Sequence, residues 1–206
     1  MIIEKDNQLD DFLLKNQDKD CFIIPILSDV NRHPLENSLC AVYVKIVDGE
    51  EGLLCFNHGE TLKLSLEKLL TLDKLGRKFV RDKKQINHIV KLTNVIDVNL
   101  QYYMSKNEPL DLDELSTNTH DYFYRVMWKM KNTNRIIPIL KHLELCRRQV
   151  KLLEKYYDLP IHEEYNDEII DNLSFVESSG LRKDDEIVYS EYNLFTSTGR
   201  PSNRFG

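Results

Sequence analysis

Cys21-Phe-Ile-Ile-Pro-Ile-Leu27 and Leu39-Cys-Ala-Val-Tyr-Val-Lys-Ile-Val47 decide the fold. The first is short, continuous and rich in β-branched residues, the pattern of a buried strand. The second reads the same way, and Asp48-Gly49 marks a tight turn into a third strand, Leu53-Leu-Cys-Phe-Asn57. Three consecutive strands joined by short connections form a meander.

Downstream of the meander the signals turn helical. Ser65 can cap a helix running to Leu75, with Leu66, Leu69 and Leu70 on one face and Gly76 ending it. Phe79-Val80 reads as a short buried strand, Gln85 to Val90 as helix, and Val95 to Val98 as the start of a further element. The longest helical pattern runs from about Ile136 to Tyr157, with Pro138 confined to its first turn. Its opposite face carries Lys141, Arg147, Arg148, Lys151 and Lys155. Residues 1–20 are polar and acidic around a single apolar cluster, Phe12 to Leu14, and read as a lead-in with at most one helical turn. From Asp158 to Glu191 there are eleven acids against two basic residues. The expected organisation is therefore an α/β (α+β) chain: a lead-in over 1–20, a mixed-sheet domain over 21–134, and a helical region over 135–206.

The 206 residues, 41% hydrophobic and 30% charged, suffice for one good core. A net charge of −6 excludes a generally basic nucleic-acid binder, so any phosphate contact must come from local patches. Arg77, Lys78, Arg81, Lys83, Lys84 and Lys91, six cations against one acid, form either such a patch or a solvated helix face. Cys21, Cys40, Cys55 and Cys146 lack zinc-ligand spacing and read as buried thiols. The six histidines are scattered, and there is no P-loop and no nucleophile elbow. No run approaches the ~20 apolar residues of a membrane span, and no signal peptide is visible, so the reading is a cytoplasmic protein without a membrane partner.

The most informative stretch is the last, Tyr192-Asn-Leu-Phe-Thr-Ser-Thr-Gly-Arg-Pro-Ser-Asn-Arg-Phe-Gly206. It resembles the TGR-[LP]-S-[SN] segment that opens the palm of family A (DNA polymerase I-like) DNA polymerases, in the form found in phage polymerases. Phe175-Val-Glu-Ser-Ser-Gly-Leu181 is similar to a turn that precedes that segment in the family, and Asn94 to Tyr103 resembles the family's D-x-x-L-x-x-Y-L stretch. The resemblance implies a ribonuclease H-like 3′–5′ exonuclease-like mixed sheet with flanking helices, then a helical thumb stem and the start of the palm. It implies contacts to primer–template DNA by Thr198, Gly199, Arg200, Ser202, Asn203 and Arg204, with Arg147, Arg148 and Lys151 on the stem. The hydroxyls and charged forks of these residues suit a phosphate backbone.

The same resemblance argues against cleavage. A working exonuclease of this class holds two divalent metals with four carboxylates. Here Asp29 follows the first strand, but Asn31 stands at the glutamate position, and Asp82 lies among cations. Tyr122 and Tyr124 are followed four residues on by Val126 and Trp128 instead of aspartate. Asp29 and Asp82 are thus vestigial metal candidates, and Asp97 matches a family aspartate that caps a helix and binds no metal. The expected function is the N-terminal part of a DNA-directed DNA polymerase, a nucleotidyltransferase, in a phage-infected bacterial cell. Its catalytic motifs and Mg2+ would belong to the remainder of the polymerase, in the same or a separate chain. The alternative is a stand-alone, non-catalytic DNA- or protein-binding scaffold on the same fold.

Overall fold

The structure, a computed structural model, describes residues 1–27, 39–56, 64–106 and 136–159, with side chains from 143 onward in the last of these, and the backbone of 192–193 and 202–203. Strands β2 (Cys21–Leu27), β3 (Leu39–Ile46) and β4 (Glu51–Cys55), numbered after β1 (Ile2–Ile3), form the antiparallel meander the sequence announces. In the β3–β4 turn Asp48 takes a left-handed φ of 53°. A Cβ on Gly49 would lie 2.8 Å from Ile46 Cγ2, so that position requires glycine. Strand β4 begins two residues before the apolar run because Gly52 and Glu51 pair with Val44 and Lys45.

On the other side of β2 the sheet continues in parallel, with β5 (Lys78–Val80) against β2 and β6 (Val95–Asp97) against β5. The order is β1-β4-β3-β2-β5-β6, a mixed six-stranded sheet with the ribonuclease H-like arrangement expected from the sequence.

Covering layers explain why β2 and β3 read as continuous apolar runs instead of alternating ones. Along β2, Cys21, Ile23 and Leu27 join one core with Val42 and Val44. That core is closed by α1 (Asp6–Lys15), a 3-10 helix (Leu66–Lys74) and α2 (Lys83–Ile89), through Leu9, Phe12, Leu69, Leu72 and Ile86. Phe22, Ile24 and Ile26 face the opposite core with Tyr43 and Leu53. There α4 (Ile136–Leu153), which follows α3 (Val98–Lys106), lays Leu143, Cys146, Val150 and Leu153 on the sheet. Tyr157, just past α4, packs edge-on against Phe22 and Phe79, with ring centroids 5.4 and 5.1 Å away.

Two expectations are corrected. Residues 1–20 are no lead-in: β1 pairs with β4, and Ile3, Leu9, Phe12 and Leu13 are fully buried or nearly so. The acidic composition misled because α1 is a surface helix, whose outer face must be polar. The segment after Ser65 is a 3-10 helix, capped by the Ser65 hydroxyl, which accepts from Glu67 N. With three residues per turn it buries Leu69, Leu72 and Leu75, and leaves Leu66 and Leu70 exposed. The expected thumb stem starts at α4, which among the described residues is a layer of the sheet domain. The region 160–191 lies outside the described residues.

Replacing Phe12 by alanine should lower the unfolding free energy by about 3–5 kcal/mol, read from the urea midpoint. A loss under about 1 kcal/mol, the scale of an ordinary surface substitution, would mean that the first twenty residues are dispensable.

Candidate functional site

Strands β2, β5 and β6 all point their carboxyl ends to one edge of the sheet. The β2–β5 pairing ends at Phe22↔Phe79, while β2 runs on to Leu27. Pro25 falls in that unpaired stretch on the β5 side, which lets a central strand carry a residue with no N–H to donate. Beyond this point the chain leaves β2 toward β3 and leaves β5 toward β6. Open α/β sheets place their ligands at such a divergence, outside the strand ends.

The register Val80↔Asp97 sets Arg81 and Asp82, just past β5, beside Asp97 at the end of β6. Asp82 caps α2: its Oδ1 accepts from Gln85 N at 3.0 Å. Asp97 is 4% exposed and ties two helices together. Its Oδ2 accepts from Lys83 N at 2.9 Å and its Oδ1 from Leu100 N at 2.9 Å. The helix-capping role expected for Asp97 is what the structure shows. Burial pushes its pKa well above the usual carboxylate range, reinforced by the negative charge of Asp82 and opposed by the backbone amides. Arg81 is half-buried; desolvation lowers its pKa, and the charges of Asp82 and Asp97 hold it up.

This donor set does not fit a two-metal centre. Both oxygens of Asp97 are engaged by amides, Asp82 caps a helix, and no cluster of three or more His, Cys, Asp or Glu able to hold a metal exists among the described residues. Asp29, Asn31, Tyr122, Tyr124, Val126 and Trp128 lie outside the described residues.

The six-cation stretch is not a phosphate-facing patch. Arg77 is held by Asp20, whose Oδ2 accepts from Nε at 2.9 Å and from Nη2 at 2.6 Å. Lys78 is fully buried, donating from Nζ to the Leu75 and Gly76 carbonyls at 3.1 and 2.9 Å. Lys83 is buried as well. These side chains serve the junction between β5 and its neighbours, which a count of charges along the sequence cannot reveal.

The basic face of α4 is partly committed too. Arg147 Nε donates to Glu51 Oε1 and Oε2 at 3.0 and 2.9 Å, Nη2 adds a further bond, and Tyr43 donates its hydroxyl to Glu51 Oε2 at 2.6 Å. The Arg147 hydrogen bonds, helped by the Tyr43 hydroxyl, hold the Glu51 carboxyl down at about 2, while burial raises the Tyr43 hydroxyl. Arg148 pairs with Glu144 one turn away, both well exposed, and Lys151 is exposed. Glu51 and Tyr43 drew no attention in the sequence, since an acid after Asp48-Gly49 reads as a solvated turn residue. All four cysteines are free and buried, and burial pushes the Cys21 and Cys40 thiols up to about 12, so they are inert. Of the palm segment, Ser202 and Asn203 form strand β8, paired antiparallel with β7 (Tyr192–Asn193). Thr198, Gly199, Arg200 and Arg204 lie outside the described residues.

In fold, the chain is similar to exonuclease domains. With the EXO domain of Aedes aegypti Nibbler it shares 10% identity, covering 83% of this chain and 93% of that one at a TM-score of 0.41. With Brucella melitensis NrnC it shares 13%, covering 84% and 94%, again at 0.41. With Escherichia coli RNase D, an exoribonuclease involved in structured RNA processing, it shares 11%, covering 86% of this chain and 56% of that one at 0.38. No protein-family model and no curated protein matches the chain. Likeness at this level extends to the fold and says nothing of the reaction. No described helix is long and apolar enough to cross a membrane.

Two outcomes test this geometry. Asp97→Ala leaves two buried N–H groups unsatisfied and should cost at least about 2 kcal/mol in chemical denaturation; a neutral change would remove its role as a junction. Glu51 has a depressed pKa in the fold, so its contribution is present above the unfolded value of about 4.3 and is lost as pH falls toward about 2. Thermal scans should therefore show an acid loss across that window that is much reduced in Glu51→Gln, and identical profiles would refute the linkage.

Proposed function

We propose that this chain is the front part of a phage-type family A DNA polymerase, whose exonuclease-like domain supports primer–template DNA without cleaving it. The observation that carries this reading is order along the chain. A ribonuclease H-like sheet comes first, and Thr196-Ser-Thr-Gly-Arg-Pro-Ser-Asn-Arg-Phe205 follows it, the order expected of such a polymerase. The capping roles of Asp82 and Asp97 support the absence of cleavage, since a carboxylate held by amides is not available to metal.

DNA contact is assigned to Thr198, Gly199, Arg200, Ser202, Asn203 and Arg204, with Arg148 and Lys151 along α4. Arg147 is retained only as a partial contributor, because its guanidinium fastens α4 to β4. Nucleotide addition, and the Mg2+ it requires, belong to the remainder of the polymerase, in the same or a separate chain. The alternative of a stand-alone binding scaffold is favoured by the redeployed carboxylates equally well, and it parts from the first reading at the DNA.

Fluorescence anisotropy with a labelled primer–template across a salt series separates them. Binding should weaken steeply with salt, and Arg200→Ala should lower affinity and reduce the salt slope by about one. No binding at low salt would reject the polymerase reading in favour of a protein-binding scaffold. Shortening of the labelled strand in Mg2+ or Mn2+ that Asp82→Asn abolishes would reject the non-cleaving role.

A further inference from the structure

We infer that Arg81 is the resident cation of the carboxyl edge, so that a guanidinium, and not a divalent metal, balances Asp82 and Asp97. The argument starts from the register. Val80↔Asp97 is the last β5–β6 pair, which leaves Arg81 as the first residue past β5, directly beside the end of β6. The three charged groups therefore share one strand edge, and Arg81 is half-buried there while Asp97 is almost fully so.

A buried carboxylate needs positive charge or hydrogen-bond donors nearby. The amides of Lys83 and Leu100 supply the donors for Asp97, and the Gln85 amide supplies one for Asp82. Amides carry only partial charge. Full positive charge comes from Arg81, which sits next to Asp82 in sequence and next to Asp97 through the register. Arginine suits this role, because it stays charged when desolvated and is more weakly hydrated than lysine. The buried lysine of this region, Lys78, is turned away to the carbonyls of Leu75 and Gly76.

The consequence is a strand edge that no longer depends on metal for its structure. Where a two-metal nuclease stays open at this edge until cations arrive, these carboxylates are held closed as helix caps around a side-chain cation. The inference does not require the polymerase reading, and its test contains no DNA, so the two can fail separately.

The test uses the whole chain. Its melting temperature should be the same in EDTA and in millimolar Mn2+, and electron paramagnetic resonance should find no Mn2+ that depends on Asp82. A rise in melting temperature with Mn2+ that Asp82→Asn removes would overturn the inference. A double-variant cycle reads the charge balance directly. Arg81→Gln should lower the melting temperature, and the drop should be clearly smaller in an Asp97→Asn background. Equal drops in both backgrounds would show that Arg81 does not serve Asp97. Should either variant fail to fold, the Mn2+ measurements on the unaltered chain still decide.

Discussion

Strand β2 is buried on both faces and paired along both edges for its first residues, and the other elements are arranged around that condition. Its odd-numbered apolar residues, Cys21, Ile23 and Leu27, demand one cover, and Phe22, Ile24 and Ile26 demand another. The first cover comes from α1, the 3-10 helix and α2, all close in sequence. The second comes chiefly from α4, far along the chain. Hydrophobic burial on two sides of one strand thus makes a three-layer domain out of segments that separately look unrelated.

The candidate site inherits its character from the same strand. Because β5 stops pairing with β2 at Phe22, a divergence opens at the carboxyl edge, and Asp82 and Asp97 stand there on adjacent strand ends. What fills the edge is protein: backbone amides from α2 and α3, and the Arg81 charge. The fold of a nuclease and the chemistry of a nuclease are separable, and here the first persists in residues that are no longer arranged for the second.

The strands were legible because β2 and β3 are too apolar to be anything but buried, and Asp48-Gly49 fixes their turn. Asp97 was legible as a cap for a similar reason, since aspartate before a helical run has a short reach to its own amides. Residues 1–20 were misread because only four side chains of β1 and α1 are inserted into the core, too few to stand out against ten polar neighbours. The 3-10 helix was misread because its leucines fit an α-helical face as well as a three-residue repeat. Least legible were the pairings across distance. Glu51 with Arg147, Tyr43 with Glu51 and Asp20 with Arg77 each join an unremarkable surface residue to a partner that only the fold brings near.

The Glu51–Arg147 contact spans 96 positions in the chain. Non-local contacts of that separation form late, because a long loop must close before they can stabilise anything. During synthesis the meander and its near cover emerge first, while Phe22, Tyr43 and Leu53 present an apolar face with its lid still inside the ribosome. The nascent chain therefore passes through a stage in which half of the finished core is open to other proteins. Chaperone occupancy at that stage is a property this architecture builds in, whatever the mature chain goes on to bind.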